Sequence, residues 1–365
     1  MISLYRYSLP FHSPFQTGER VWSERTGCLL HYRDERMEAL TEIAPLPGFS
    51  NESLDEVLCQ LINHRRVIDD LLSGVSRREE FRLRLRRMNL PPSAGFGISA
   101  AWISLTARRA GISIQDWFDT LLNPEIRVNT TLGIEHGKEL LTQIESRSDE
   151  GFQVIKIKCG RDPANLPGLL KTAADRHPGL TFRIDANQSW ELHHASNILN
   201  RFTGLPIEYC EEPSLWSSES EFRELKRASP VPLALDESVC SPARLKSALR
   251  GRLADCYIIK PMLFGSIFDL LEALCNGKQI VNDPQIIFSS SFESAVGRSI
   301  TTWLAGMAGG WKRAHGLDTG RVFQKDLAEL PPAGAVIRPE PAQHWEIPLE
   351  TCNRDLITPI QQNGT

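Results

Sequence analysis

Val154-Ile155-Lys156-Ile157-Lys158 alternates apolar and cationic side chains, and the runs after it end in the same way. Phe182-Arg183-Ile184-Asp185-Ala186-Asn187 carries a polar side chain at every second position, and the next runs close on Glu211, Asp236 and Lys260. The spacing is regular: 27 residues from Lys158 to Asp185, then 26 to Glu211, 25 to Asp236 and 24 to Lys260. Short apolar runs at 128–133, 153–158, 181–187, 207–211, 232–236, 256–260 and 285–290 read as strands. Amphipathic stretches at 166–176, 192–202, 219–227, 242–249 and 267–275 read as the helices between them. Repeated strand–helix units predict parallel strands with right-handed crossovers. No GxGxxG follows the first strand, so the pattern favours a closed β/α barrel over an open dinucleotide-binding sheet.

Residues i and i+2 of a strand point to the same side. Lys156 and Lys158 therefore face the barrel interior together, as do Arg183, Asp185 and Asn187, while Ile155 and Ile157 face the helices. Barrel enzymes place reacting groups at the C-terminal ends of their strands. Glu211, Asp236 and Lys260 close the next three strands there. Three carboxylates on successive strands repel one another unless a cation sits between them, and unpaired buried charge is costly. Oxygen ligands of this kind suit a hard divalent ion, Mg²⁺ first and Mn²⁺ second. A lysine crowded by a second lysine and such an ion loses its proton more readily, which makes Lys158 a proton acceptor. A metal-held enediolate formed beside a lysine base is the chemistry this set can run.

Bulk properties exclude other classes. The chain has 365 residues, 41% hydrophobic and 24% charged, enough to bury a large core without cross-links. A net charge of −4 gives no general attraction to nucleic acid or an anionic membrane surface. The basic run from Arg77 to Arg87 is interrupted by Glu79 and Glu80 and reads as a solvated helix face. Eight scattered cysteines form no CxxC pair and fit a reducing compartment. The N-terminus lacks a signal-peptide pattern and no run is long enough to span a bilayer, so the expected location is the cytoplasm. Residues 1–125 read as a small α+β unit: hairpin strands, a rigid turn at Pro45-Leu46-Pro47-Gly48-Phe49-Ser50, a helix capped by Ser50 or Asn51, and a helix of small residues from Ala94 to Ala110. Residues 126–321 carry the barrel pattern, and 322–365 form a Pro-rich segment that returns to the first unit or is partly disordered.

At Lys156-Ile157-Lys158, Arg183-Ile184-Asp185-Ala186-Asn187, Glu211-Glu212-Pro213, Asp236-Glu237-Ser238 and Ile259-Lys260-Pro261 the chain resembles the muconate-lactonizing branch of the enolase superfamily. More narrowly, Glu42 to Ser50, Ile287 to Ser294 and Gly316-Leu317-Asp318-Thr319 resemble the o-succinylbenzoate synthase family of menaquinone biosynthesis. The resemblance implies an α/β fold, a modified TIM barrel (β/α)7β with an N-terminal α+β capping domain. It implies a bound Mg²⁺ held by Asp185, Glu211 and Asp236. It also implies syn dehydration of 2-succinyl-6-hydroxy-2,4-cyclohexadiene-1-carboxylate, with Lys158 moving the proton and Lys260 stabilising the enediolate. No motif matches between Phe15 and Arg25, where the family's cap loop lies.

Other residues are weaker candidates. Ser289 and Ser291 offer hydroxyls for a substrate carboxylate. Arg183 offers a water-mediated substrate contact or a partner for a ligand carboxylate. Asn187 offers hydrogen bonds to the metal-site network, and Gly48 and Phe49 a lid over the ring. His136, His177, His193, His194 and His315 show no ligand spacing and read as surface or loop residues. The expected partner is a small-molecule carboxylate. Oligomeric state is not legible. The same site suits an N-acylamino acid racemase, a dipeptide epimerase or a cycloisomerase, and a barrel that only binds its ligand is the reading from another class.

Overall fold

In a computed structural model, residues 1–17, 20–133, 137–275, 283, 285–329, 334–339 and 344–360 are described. The chain begins with three antiparallel strands, β1 (Ile2–Thr17), β2 (Arg20–Arg33) and β3 (Glu38–Ile43). Helices α1 (Leu54–Asn63), α2 (Arg65–Gly74), α3 (Arg78–Arg87), α4 (Pro92–Ala110) and the single turn α5 (Ile114–Trp117) follow. Ser53, rather than Ser50 or Asn51, caps α1: its hydroxyl accepts from Glu56 N while the Glu56 carboxylate accepts from Ser53 N. This reciprocal pair satisfies two amides that the first turn leaves open.

Helix α4 is made of small residues because it is wedged between β3 and the barrel. A side chain at Gly97 would sit 2.4 Å from Ile43 Cγ1 and 2.9 Å from the Glu42 carbonyl, so only glycine permits the contact. The arginines of α3 are not simply a solvated face. Arg82 and Arg86 pair with Asp269, Arg82 also pairs with Glu272, and Arg78 lies 5.0 Å from the Phe268 ring centroid. The run binds a barrel helix that carries the opposite charge, and nothing in the run itself reveals that partner.

Strand β4 (Ile126–Arg127) precedes the barrel sheet, whose strands are β5 (Thr130–Leu132), β6 (Val154–Lys158), β7 (Thr181–Asp185), β8 (Ile207–Glu211), β9 (Leu233–Leu235), β10 (Cys256–Ile259) and β11 (Ile286–Phe288). Strands β5 to β11 form one parallel sheet in sequence order. Helices α6 (Gly137–Asp149), α7 (Leu166–Arg176), α8 (Leu192–Asn200), α9 (Glu219–Ala228), α10 (Pro242–Gly251) and α11 (Ile267–Cys275) connect them, and α12 (Ala295–Ala308) follows β11. The ring closes through His315 and Gly316. Gly316 bridges Ser289 and His315 bridges Val128, with Gly316 N donating to Phe288 O and Asn129 N to His315 O. The fold is thus the modified (β/α)7β barrel with an α+β unit before it.

The last described residues tie back to both parts. Strand β12 (Val336–Ile337) pairs with β4, and β13 (Ile357–Pro359) adds to the edge of β1. Trp345 is fully buried and donates to Ser104 Oγ on α4. A second joint is electrostatic. Buried Glu42 on β3 accepts from Tyr7 Oη, from Ser294 N and Oγ, and from Gly297 N at the start of α12. A carboxylate on the open amides of a helix N-terminus is favourably placed. All eight cysteines are free thiols, and no described helix is long and apolar enough to cross a membrane.

Candidate active site at the barrel mouth

The period-2 geometry of β6 buries Ile155 and Ile157 against the helices and turns Lys156 and Lys158 into the barrel. Parallel register sets Lys156 beside Arg183 and Lys158 beside Asp185, and Asp185 beside Glu211 on β8. Asp236 and Lys260 directly follow β9 and β10. These residues line one cavity of about 270 Å³, roofed by Leu46 and Phe49 of the cap. The structure therefore brings together the three lysines and three carboxylates expected from the sequence.

Their charges are closely matched. Lys156 Nζ lies 2.9 Å from Asp185 Oδ2 and 2.7 and 2.8 Å from the two Glu211 oxygens, and Lys260 Nζ pairs with Asp236. Burial works to lower the pKa of Lys156, but Asp185 and Glu211 outweigh it and hold the ammonium well charged. Burial also acts on Lys260, where Asp236 and Glu237 raise the pKa above the usual lysine range. Lys158 goes the other way: burial and the neighbouring Lys156 and Lys260 charges lower its pKa, against the pull of Asp185. The Lys158 shift thus has burial as its first cause, where the sequence suggested crowding by charge.

The carboxylate trio fits a hard divalent ion. Its donors are all oxygen, and the buried Asp236 Oδ1 has no hydrogen-bond partner among the described residues. Asp185, Glu211 and Asp236 would hold such an ion. Glu212, fully buried with a left-handed backbone (φ +42°), fixes the turn that presents Asp236. Its carboxylate accepts from Asp236 N at 2.9 Å and from Ser238 N and Oγ at 2.8 Å each.

The remaining candidates divide. Asn187 joins the site, donating from Nδ2 to Glu237 Oε1 at 3.0 Å and from its backbone to Asp185 Oδ1 at 3.2 Å. Ser289 lines the cavity, but Ser291 does not. Its hydroxyl and amide are spent on Glu293, at 2.6 and 2.7 Å, because the chain turns after Ser290 and takes the side chain out of strand alternation. Phe49 lies 4.4 Å from Lys260 Nζ over its ring, whereas Gly48 is exposed and supplies the positive φ (+87°) of the turn. Arg183 reaches the cavity floor but pairs with no ligand carboxylate. It donates to Glu208, Asn129 and the Ala314 carbonyl at 2.7, 2.7 and 2.8 Å, stacked 4.8 Å from the Tyr209 ring centroid. Glu208 precedes Tyr209 on β8, out of reach of the strand-end rule.

Glu237 was missed as a site group, although it stands beside Asp236 in Asp236-Glu237-Ser238. Burial first, then Asp236, push its pKa up to about 7. His315 is buried within the barrel closure, not on a surface loop. His136 lies outside the described residues. His193 and His194 do converge with Glu191, their ligand atoms within 4.8 Å of one another, which the sequence spacing did not suggest. All three are exposed at the start of α8, where the helix dipole disfavours a cation.

Two family models match the chain. Residues 1–105 match the MenC N-terminal domain, and residues 139–275 match the enolase C-terminal domain-like family. The o-succinylbenzoate synthase of Thermosynechococcus vestitus is 28% identical over 86% of this chain and 90% of its own length. That of Aliivibrio salmonicida is 27% identical over 95% of both, and that of Haemophilus influenzae 29% over 81% and 83%. Among solved structures, the dipeptide epimerase of Cytophaga hutchinsonii, complexed with Mg and a dipeptide, superposes with a TM-score of 0.82 at 18% identity over 98% of both chains. The muconate lactonizing enzyme of Pseudomonas fluorescens gives 0.79 at 19% identity over 94% of both. The likeness to these structures carries the fold, and the family models and relatives add that the chain is similar, over most of its length, to the o-succinylbenzoate synthases of the enolase superfamily.

Proposed function

We propose that the protein is an o-succinylbenzoate synthase, a carbon–oxygen lyase that dehydrates 2-succinyl-6-hydroxy-2,4-cyclohexadiene-1-carboxylate. One observation carries the reading. Lys158 and Lys260 reach a single cavity from opposite arcs of the ring, on β6 and at the end of β10, with Asp185, Glu211 and Asp236 on the strands between. The MenC N-terminal domain match and the relatives aligned over most of the chain support dehydration as the reaction. The racemase, epimerase and cycloisomerase alternatives use the same lysines and carboxylates, and the epimerase and lactonizing-enzyme structures resemble this chain in fold alone.

Asp185, Glu211 and Asp236 would hold a divalent ion, Mg²⁺ first, and that ion would supply the fixed positive charge that makes a proton next to a carboxylate more acidic. The Lys158 amine takes that proton from the ring carbon, whose electron pair passes into the carboxylate as an enediolate. The Lys260 ammonium, held by Asp236 and the Phe49 face, presents positive charge from the other side. As the enediolate collapses, the C–O bond at the adjacent carbon breaks. The Lys158 ammonium returns its proton to the departing hydroxyl, so one water leaves, the ring becomes aromatic and the base is regenerated. One lysine serves both steps because proton and hydroxyl leave from the same face.

The direct test is an absorbance assay for aromatisation with Mg²⁺ and with chelator. Turnover that needs the ion supports the reading. No dehydration together with efficient racemisation of an N-acylamino acid replaces it with the two-base alternative.

A further inference from the structure

Arg25 on β2 is only 2% exposed, and its five N–H groups all end on backbone carbonyls. Within the cap it donates to Thr26 O at 3.0 Å, Pro45 O at 2.7 Å and Ala44 O at 2.7 Å. Across to the barrel it donates to Phe292 O at 3.1 Å and Ser291 O at 3.5 Å. Guanidinium has five donors in a rigid plane, and here each has an acceptor.

The two groups of carbonyls belong to the two walls of the cavity. Ala44 and Pro45 lead directly into Leu46 and Phe49, and Ser291 and Phe292 continue the segment that carries Ser289 and Ser290. Phe292 lines the cavity with a left-handed backbone (φ +59°), a conformation that a non-glycine residue keeps only when its surroundings hold it. Arg25 itself does not line the cavity. We propose that Arg25 is a positioning residue that locks the Ala44–Phe49 turn of the cap to the Ser289–Phe292 loop of the barrel, and so sets the wall that recognises the non-reacting part of the substrate. Glu42 supports the same lock one step further on, at Ser294 and Gly297. A lysine at position 25 would bring three donors to five carbonyls.

The test uses the full chain with Arg25→Met and Arg25→Lys. Amide hydrogen exchange followed by mass spectrometry should show both 44–50 and 289–294 exchanging about tenfold faster or more, while β6 to β10 are unchanged. Misplacing a wall by an ångström costs about 10²-fold in kcat/KM. That loss should fall mainly on KM, with the pH profile of kcat unmoved. Loosening of one segment alone, uniform loosening of the whole chain, or a fall in active fraction at unchanged KM would overturn the proposal. Where Arg25→Met does not fold, Arg25→Lys decides by the same two readouts. The kinetic arm rests on the dehydration reading and the exchange arm does not. Failure of that reading shows as absent turnover by the wild type, separately from failure of the lock.

Discussion

His315 predicts an acid weakness at the seam of the barrel. Its Nδ1 accepts from Phe288 N at 3.0 Å, while the Gly310 carbonyl accepts from the ring, so the imidazole must be neutral to keep both bonds. Burial, then the nearby Arg183 charge, lower its pKa from 6.5 to about 3. In the unfolded chain the ring takes a proton near the ordinary value, whereas in the folded chain it does not until about 3. The unfolded state therefore binds more protons in that window, and stability is complete above 6.5 and falls as pH drops towards 3. Each pH unit costs about 1.4 kcal/mol, so the step from pH 6.5 to 5 costs about 2 kcal/mol and the full window about 5. His315→Asn is the control, since its side-chain oxygen can accept near the Nδ1 position and does not titrate. Urea unfolding followed by tryptophan fluorescence at pH 7.5, 6 and 5 should give a wild-type curve that falls more steeply than that of His315→Asn, by about 2 kcal/mol at pH 5. Parallel curves would refute the buried neutral imidazole as the source of the weakness.

Asp236→Asn should weaken Mg²⁺ binding at least tenfold in titration calorimetry while leaving the melting temperature close to wild type; unchanged affinity would remove Asp236 from the ligand set. Lys158→Ala and Lys260→Ala should each lose about 10²–10⁴-fold in dehydration rate, but in D₂O with a non-eliminating analogue Lys260→Ala should still exchange the α-proton. Exchange by Lys158→Ala at the wild-type rate would reverse the two roles. Phe49→Ala removes the ring beside Lys260, a contact worth about 0.5–1 kcal/mol at exposed sites and about 2 kcal/mol when desolvated, and should lower kcat/KM by about tenfold while the barrel stays folded by circular dichroism.

The barrel was legible because its signal is local. Alternation in Val154–Lys158 and the near-constant distance between charged strand ends both arise from hydrogen-bonded strands of fixed direction, and five charged positions sufficed to place the mouth. The misreadings share the opposite cause. His315 looks like a loop residue because its strand is only a pair of bridges, with no apolar run to announce it. Ser291 breaks the alternation because its segment has already turned, and Arg183 finds its carboxylate on a residue whose inward direction no period-2 count from Glu211 provides. The arginines of α3 find theirs 183 to 190 residues away.

That division has a functional consequence. The lysines and carboxylates of the cavity sit at strand ends and follow from local pattern, and on the proposed function they set the chemistry as proton abstraction beside a carboxylate. The cap turn and the loop after β11, by contrast, are joined by contacts such as Arg25 to Phe292, separated by 267 residues, and Glu42 to Ser294, separated by 252. Such contacts use backbone carbonyls and amides, which every sequence offers equally, so no spacing of residue types records them. On this account, substrate preference in this fold is sought in the residues that hold the cap turn and the loop after β11 together, and reaction type in the residues that face the cavity between β6 and β10.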